Sequence, residues 1–115
     1  MDENMQKFAS SHMQLLKEDF PDLHKNMMDF KKIIFEDSTV DKRTLKLVAI
    51  ALTAASDSEM PIRKQMSTGI KQFGFTKEEI MDVLKLVLLV SGKPGFLKAV
   101  GIMYDELEKQ GKLDE

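Results

Sequence analysis

The stretch from Thr76 to Ser91 constrains the fold of this chain more than any other segment. Thr76 and Glu79 form the pattern of a capping box, in which each side chain satisfies a free backbone N–H at a helix start. The helix that follows has apolar residues on almost every side, at Ile80, Val83, Leu84 and 86–90. A helix that buries only one face in the core does not need so many apolar residues. We therefore expect this helix to lie centrally in the fold or in an interface.

The rest of the chain also predicts a series of helices. Each of its three prolines, at 21, 61 and 94, falls where a helix would begin, and the missing N–H costs little there. Strand alternation of useful length and Asn-Gly or Asp-Gly hairpin turns are both lacking. The predicted helices run from about Asn4 to Glu18, Pro21 to Phe35, Asp41 to Ala55, Pro61 to Gly74, Lys77 to Ser91 and Pro94 to Gly111. The fold class is therefore all-α, with about six helices around a central buried pair, in one domain over residues 1–115.

Composition limits the classes of function. Lys plus Arg number 17 against 19 for Asp plus Glu, so the net charge is −2 and no nucleic-acid partner is predicted. The acidic start, Met1-Asp2-Glu3, is unlike a secretory signal, and the apolar runs 47–52 and 86–90 fall far short of the roughly 20 residues that span a bilayer. We expect a cytoplasmic protein without a membrane partner. Because the chain has no cysteine, it cannot use a thiol nucleophile or a thiolate metal site, and we predict neither a metal nor a cofactor.

Two helices of this chain, the third and the fifth, are apolar on nearly every side. A domain of 115 residues has few other elements to cover them, so self-association is the simplest way to bury the remaining apolar surface. We predict an obligate homo-oligomer. The alternative is that the flanking amphipathic helices cover both and the chain stays monomeric.

Three segments carry a family resemblance. They are Asp-Lys-Arg-Thr-Leu-Lys-Leu-Val-Ala at 41–49, Gly-Phe-Thr-Lys-Glu-Glu-Ile at 74–80 and Gly-Lys-Pro at 92–94. Their order resembles that of the carboxymuconolactone decarboxylase family, which includes the alkylhydroperoxidase-D-like proteins, over about residues 20–105. The resemblance implies an AhpD-like helical bundle and assembly into trimers or hexamers.

The same resemblance implies where a site would lie. Thiol-dependent members have Asp-x-Lys-Thr-x-Glu-Leu-Ile-Ala, and Lys46 stands where that pattern has glutamate. They also have Cys-x-x-Cys-x-x-x-His-x-x-x-Ala-x-x-x-Gly; counting back from Gly74 puts Met66 at the histidine and Glu59 and Ile62 at the cysteines. Peroxide reduction needs an attacking thiolate, a resolving thiol and groups that move protons. Thiol-dependent peroxidase activity is therefore not expected.

Two principal functions remain open. The first is an oligomeric ligand-binding or structural protein that has lost the redox site and could take a small acidic ligand. The second is a decarboxylase or isomerase acting on a small acidic or lactone substrate. In that enzyme Lys46, Arg63 or Lys64 would hold a carboxylate, and Asp57 or Glu59 would move a proton. A third reading, a partner-binding helical adaptor, requires an exposed apolar groove.

Geometry separates these functions. A closed cavity in which two of the charged candidates converge would favour the enzyme, whereas a cavity filled by Ile62 and Met66 would oppose it. We predict that Met66 fills the core. Lys46 and Glu59 either pair across the site or, as we favour, are solvated at helix ends.

The two histidines, His12 and His24, are not accompanied by a second His, Asp or Glu at ligand spacing. Either could reach a pocket from outside, but we predict a structural or surface role for both.

Overall fold

The computed structural model describes the backbone of residues 3–114 and the side chains of residues 11–114. Within that range it has six α-helices and no strand, so the predicted all-α fold is confirmed. The helices are α1 (Glu3–Asp19), α2 (Pro21–Glu36), α3 (Lys42–Ser56), α4 (Glu59–Phe73), α5 (Lys77–Ser91) and α6 (Lys93–Lys109). Residues Met1 and Asp2, on which the prediction about a secretory signal partly rests, lie outside the described range. No helix among the described residues is long and apolar enough to cross a membrane.

The chain divides into two compact units, Met1–Lys42 and Arg43–Glu115. The first unit is a hairpin in which α1 and α2 pack against each other. Pro21 opens α2 directly after Phe20, because the fixed φ of proline suits the first turn of a helix. None of the residues of α2 is buried, and its large apolar side chains other than the half-buried Phe35 are exposed.

The second unit has the hydrophobic core, in which α6 packs against both α4 and α5. Its buried apolar residues are Ile50, Ala54, Ile62, Met66, Ile70, Phe75, Ile80, Leu84, Val87, Ala99, Ile102, Met103 and Leu107. Both α3 and α5 bury one face in this core. On α5, however, Leu86, Leu89 and Val90 remain exposed, so the single chain does not bury this helix on all sides.

The predicted capping box is present at the start of α5. The Thr76 side chain accepts a hydrogen bond from the Glu79 N–H at 3.1 Å, and the Thr76 N–H donates to Glu79 Oε1 at 3.1 Å. Arg43 Nη1, at the start of α3, lies 2.5 Å from Glu79 Oε2. The hydrogen bonds from Arg43 and from the Thr76 backbone lower the pKa of Glu79 from 4.5 to about 2. One carboxylate therefore joins the starts of two helices.

The low pKa of Glu79 makes a prediction about acid stability. A carboxyl whose pKa is depressed in the folded state stabilises the protein above its unfolded pKa of 4.5, and this contribution is lost as the pH falls through about 2. Gln at position 79 would keep the capping geometry and remove the charge. Urea unfolding should show wild type more stable than Glu79→Gln at pH 7, with the difference shrinking between pH 4.5 and 2. A difference that does not change with pH would contradict the ion pair.

Close approach between α3 and α6 depends on Gly95, which is buried in the first turn of α6. A methyl group at this position would collide with the backbone carbonyl oxygen of Ala54 near the end of α3. A backbone oxygen cannot rotate away as a side chain can, so only glycine allows this approach.

We expect Gly95→Ala to lower the free energy of unfolding by about 1–3 kcal/mol, because the added methyl overpacks the α3 and α6 contact. Gly101 provides the matched control on the same helix, since a methyl there has nothing within 4 Å. Gly101→Ala should raise the free energy of unfolding by about 0.4–1 kcal/mol by restricting the unfolded chain. Urea denaturation measures both, and equal effects of the two substitutions would contradict the close approach.

Candidate functional site

Of the three positions that the sequence pattern predicts for the family's two thiols and histidine, two lie in the core. Ile62 and Met66 are fully buried on α4 and belong to the same apolar cluster as Ile50 and Met103. A spacing of four residues puts both side chains on one face of the helix. The prediction that Met66 fills the core is confirmed.

Lys46 does not lie where we predicted. It is 8% exposed, so the prediction of a solvated lysine at a helix end is wrong. Its Nζ donates a hydrogen bond to Gln65 Oε1 at 2.6 Å, and an amide oxygen is a suitable partner for a buried ammonium group. The methylene groups of lysine are apolar, so they can be buried while the ammonium group keeps its polar partner. Glu59, by contrast, is exposed in the first turn of α4, as predicted.

The side chain of Arg63 is the centre of a cluster of charges between α4 and α6. It is 9% exposed, and its Nη1 donates to Asp105 Oδ2 and, at 3.1 Å, to Glu106 Oε1. Its Nη2 lies 3.7 Å from Glu59 Oε1. Lys109 Nζ lies 3.5 Å from Asp105 Oδ2 and 3.9 Å from Glu106 Oε1. The cluster therefore joins three carboxylates to two cations.

Within this cluster, the contacts of Arg63 and Asp105 favour the charged form of each. Burial alone would lower the pKa of Arg63, but the hydrogen bonds to Asp105 and Glu106 outweigh it and raise that pKa above its ordinary value. The hydrogen bond from Arg63 lowers the pKa of Asp105. Groups that hold their charge this firmly are poor proton donors or acceptors near neutral pH. The cluster is suited to joining two helices.

The remaining sequence candidates lie apart from this cluster. Asp57, which has a positive φ of 56°, pairs through Oδ1 with Lys98 Nζ at 3.1 Å. Lys64 is exposed on α4. Among the candidates, the structure brings together Arg63 and Glu59, whereas Lys46 bonds to Gln65 and Asp57 pairs with Lys98. His12 is exposed and His24 is half-buried, both in the first unit.

A cleft between α5 and α6, which sequence reasoning missed, has a volume of about 320 Å³. Its apolar lining is Met81, Phe96 and Val100, and its polar lining is Lys77, Glu78, Asp82, Lys85 and Tyr104. The signal was present in the sequence as two rows with a spacing of four residues, 77, 81 and 85 on α5 and 96, 100 and 104 on α6. Such rows do not show by themselves that the two helix faces meet. They become informative once the structure shows that α5 packs against α6.

Comparison with known proteins agrees with this fold. Residues 21–105 match the carboxymuconolactone decarboxylase family, and the chain belongs to that family. It is 43% identical over 96 residues to the uncharacterized protein MJ0742 of Methanocaldococcus jannaschii, covering 84% of this chain and 92% of that protein. A second protein of that organism, the uncharacterized protein MJ1511, is 30% identical over 88 residues, covering 76% and 81%.

A solved structure has a similar fold. The crystal structure of apo-lpg0406, a carboxymuconolactone decarboxylase family protein from Legionella pneumophila, superposes with a TM-score of 0.76. The match covers 87% of this chain and 91% of that one at 21% sequence identity. At that identity the similarity concerns the fold alone.

The burial of Arg63 makes a prediction about stability. We expect Arg63→Met to lower the free energy of unfolding by about 3–5 kcal/mol, because Glu106 would keep a buried charge without its main partner. Lys98→Met is the matched control: it removes an exposed cation from Asp57 and should cost about 0–1 kcal/mol. Chemical denaturation measures both variants.

A second variant tests the cause of that loss. Arg63→Met combined with Glu106→Leu removes both buried charges and should recover part of the lost stability. The single variant Glu106→Leu completes the comparison. If the loss of stability in the double variant equals the sum of the losses in the two single variants, the two side chains do not act as a pair.

Proposed function

We propose that this protein is a homo-oligomeric ligand-binding or structural member of the carboxymuconolactone decarboxylase family without the thiol peroxidase reaction. One observation carries the proposal: Ile62 and Met66, at the positions where the family pattern has a cysteine and the histidine, are fully buried in an apolar core. The chain also has no cysteine. A buried methionine cannot replace the missing groups, since its sulfoxide has no resolving thiol and requires a separate reductase.

The cleft between α5 and α6 supports the ligand-binding part of the proposal. Its volume of about 320 Å³ falls at the small end of the range for ligand sites. Lys85 is neutralised by Asp82 at 3.2 Å, whereas Lys77 is half-buried at the rim. The ligand we propose is a small molecule with an acidic group for Lys77 and an apolar body for Phe96.

The exposed apolar side chains of the second unit support the oligomer. On α5, Leu86, Leu89 and Val90 share one face at spacings of three and four residues, and the last two are 79% and 80% exposed. On α3, Val48 and Leu52 form a second exposed pair. Monomeric soluble proteins rarely expose large apolar patches. The family resemblance favours a trimer or a hexamer, and the small net charge argues against a nucleic-acid partner.

Native mass spectrometry tests the oligomer and the ligand in one measurement. The spectrum should show multiples of 13.1 kDa, with an additional small mass that is absent from the denatured protein. Lys77→Met should lose the additional mass and keep the subunit number. Lys71→Met removes a lysine exposed on α4 and should change neither.

Two results would overturn the proposal. A stable monomer at micromolar concentration would contradict the oligomer. Turnover in a thiol-coupled peroxide assay would contradict the loss of the peroxidase reaction, because the chain has no thiol of its own.

A further inference from the structure

The cleft between α5 and α6 has two chemically different ends. Gly92 is the only residue between the two helices along the chain, so they pack side by side in antiparallel directions. The end of the cleft near Gly92 has Lys85 and Phe96. The far end has Lys77 and Tyr104. A ligand that occupies the whole cleft therefore meets both pairs of residues.

The wall between the two ends is apolar. Met81 lies midway along the row of α5 residues and Val100 midway along the row of α6 residues, and both are half-buried. The ends of each row are eight positions apart, which corresponds to about 12 Å along an α-helix. An extended chain of atoms advances about 1.2 Å per bond, so about ten bonds cover this length. The wall is therefore suited to a narrow, extended hydrocarbon chain.

Charge distinguishes the two ends. At the end near Gly92, Lys85 Nζ lies 3.2 Å from Asp82 Oδ1, so a ligand meets a neutral pair there. At the far end Lys77 is half-buried, and none of the described carboxylates forms an ion pair with it. A half-buried ammonium group without a counter-ion favours an anion that can approach it. The hydroxyl of Tyr104, at the same end, can donate a second hydrogen bond.

One carboxylate, that of Glu78, also lines the far end. Glu78 is exposed, whereas Lys77 and Met81 are half-buried. Successive residues of an α-helix point about 100° apart, so Glu78 lies on the solvent side of the rim and Lys77 on the side of Met81. Water therefore screens Glu78 from an anion that is bound beside Lys77.

We propose that this cleft binds an extended medium-chain carboxylic acid, of which decanoic acid is an example. Its carboxylate lies at Lys77 and Tyr104, and its methyl end lies at Phe96. The inference rests on the proposed ligand-binding function and names the class of the ligand. Each methylene group that leaves water for an apolar wall strengthens binding by up to about four-fold. The hydrocarbon chain therefore supplies most of the affinity, and the carboxylate determines the direction of binding.

Tyr104 provides the readout for a binding experiment, because it is the only tyrosine and the chain has no tryptophan. Its fluorescence should change saturably when decanoate is added below its critical micelle concentration. In a series of saturated acids, the affinity should rise with each methylene group and level off near about ten carbon atoms, where the chain reaches Phe96. An affinity that continues to rise equally for longer chains would overturn the proposed fit.

An uncharged ligand of the same length tests the role of the carboxylate. 1-Decanol should bind about ten-fold more weakly than decanoate, because it lacks the charge that pairs with Lys77. Equal binding of the two ligands would show that the cleft recognises hydrocarbon alone, which would contradict the inference.

Substitutions test the direction of binding. Lys77→Met should weaken decanoate binding about ten-fold, because it removes the partner of the carboxylate. Lys85→Met should weaken it by less than about two-fold, since this charge is already paired with Asp82. Equal losses would show that the acid does not lie at Lys77. Glu78→Gln should not weaken binding; if it does, the head group of the ligand is an ammonium and the inference fails.

Lys71→Met, on α4, controls for the general loss of a positive charge and should leave the affinity unchanged. Far-UV circular dichroism confirms that each variant keeps its helices. If decanoate does not bind but the native mass spectrum shows a retained mass that Lys77→Met loses, the ligand belongs to another class and only this inference fails. If both the binding of decanoate and the retained mass are absent, the proposed ligand-binding function fails as well.

Discussion

The contact between α4 and α6 is the constraint on which the second unit depends. Apolar packing supplies most of its free energy, at about 1.5–3 kcal/mol for each fully buried aliphatic side chain. Hydrogen bonds and ion pairs also connect residues of α4 with α6 and the residues that follow it. After the Arg63 cluster, Gln110 Nε2 donates to the Ser67 carbonyl at 3.1 Å, and Lys112 Nζ donates to the Ile70 carbonyl at 3.2 Å. The same carbonyl also accepts a hydrogen bond from the Gly74 N–H at 3.2 Å, at the end of α4. Together these bonds restrict how far α6 can slide along α4.

The same constraint determines what α4 can do chemically. A helix that turns Ile62 and Met66 into a closed core cannot offer those positions to a substrate. Its charged residue with the strongest interactions, Arg63, is committed to carboxylates on α6. Breaking a buried ion pair leaves a costly charge behind, so the arrangement tolerates little movement. An open cleft lies instead between α5 and α6, where the lining combines apolar side chains with charged ones.

Local signals predicted the helices well. The capping box at Thr76 and the prolines at helix starts each depend on neighbours within four residues, which the sequence displays directly. The Arg63 cluster could not be predicted in this way, because its partners on α6 lie 42 and 43 residues away. The error at Lys46 has the same origin, since Gln65 lies 19 residues away on the next helix. Apolar faces on α2 and α5 were visible as patterns, but a pattern does not state whether the covering surface belongs to the same chain or to another.

The burial of Met66 also determines how this protein responds to oxidants. A sulfoxide is polar, and the core around Met66 offers hydrocarbon neighbours, so the sulfur is protected for as long as α4 stays packed. Oxidants can reach it only during moments of local opening. Met28, which is 39% exposed, has less protection. The ratio of the oxidation rates of these two methionines therefore reports the free energy of opening α4, and Met66 becomes a natural reporter of core breathing.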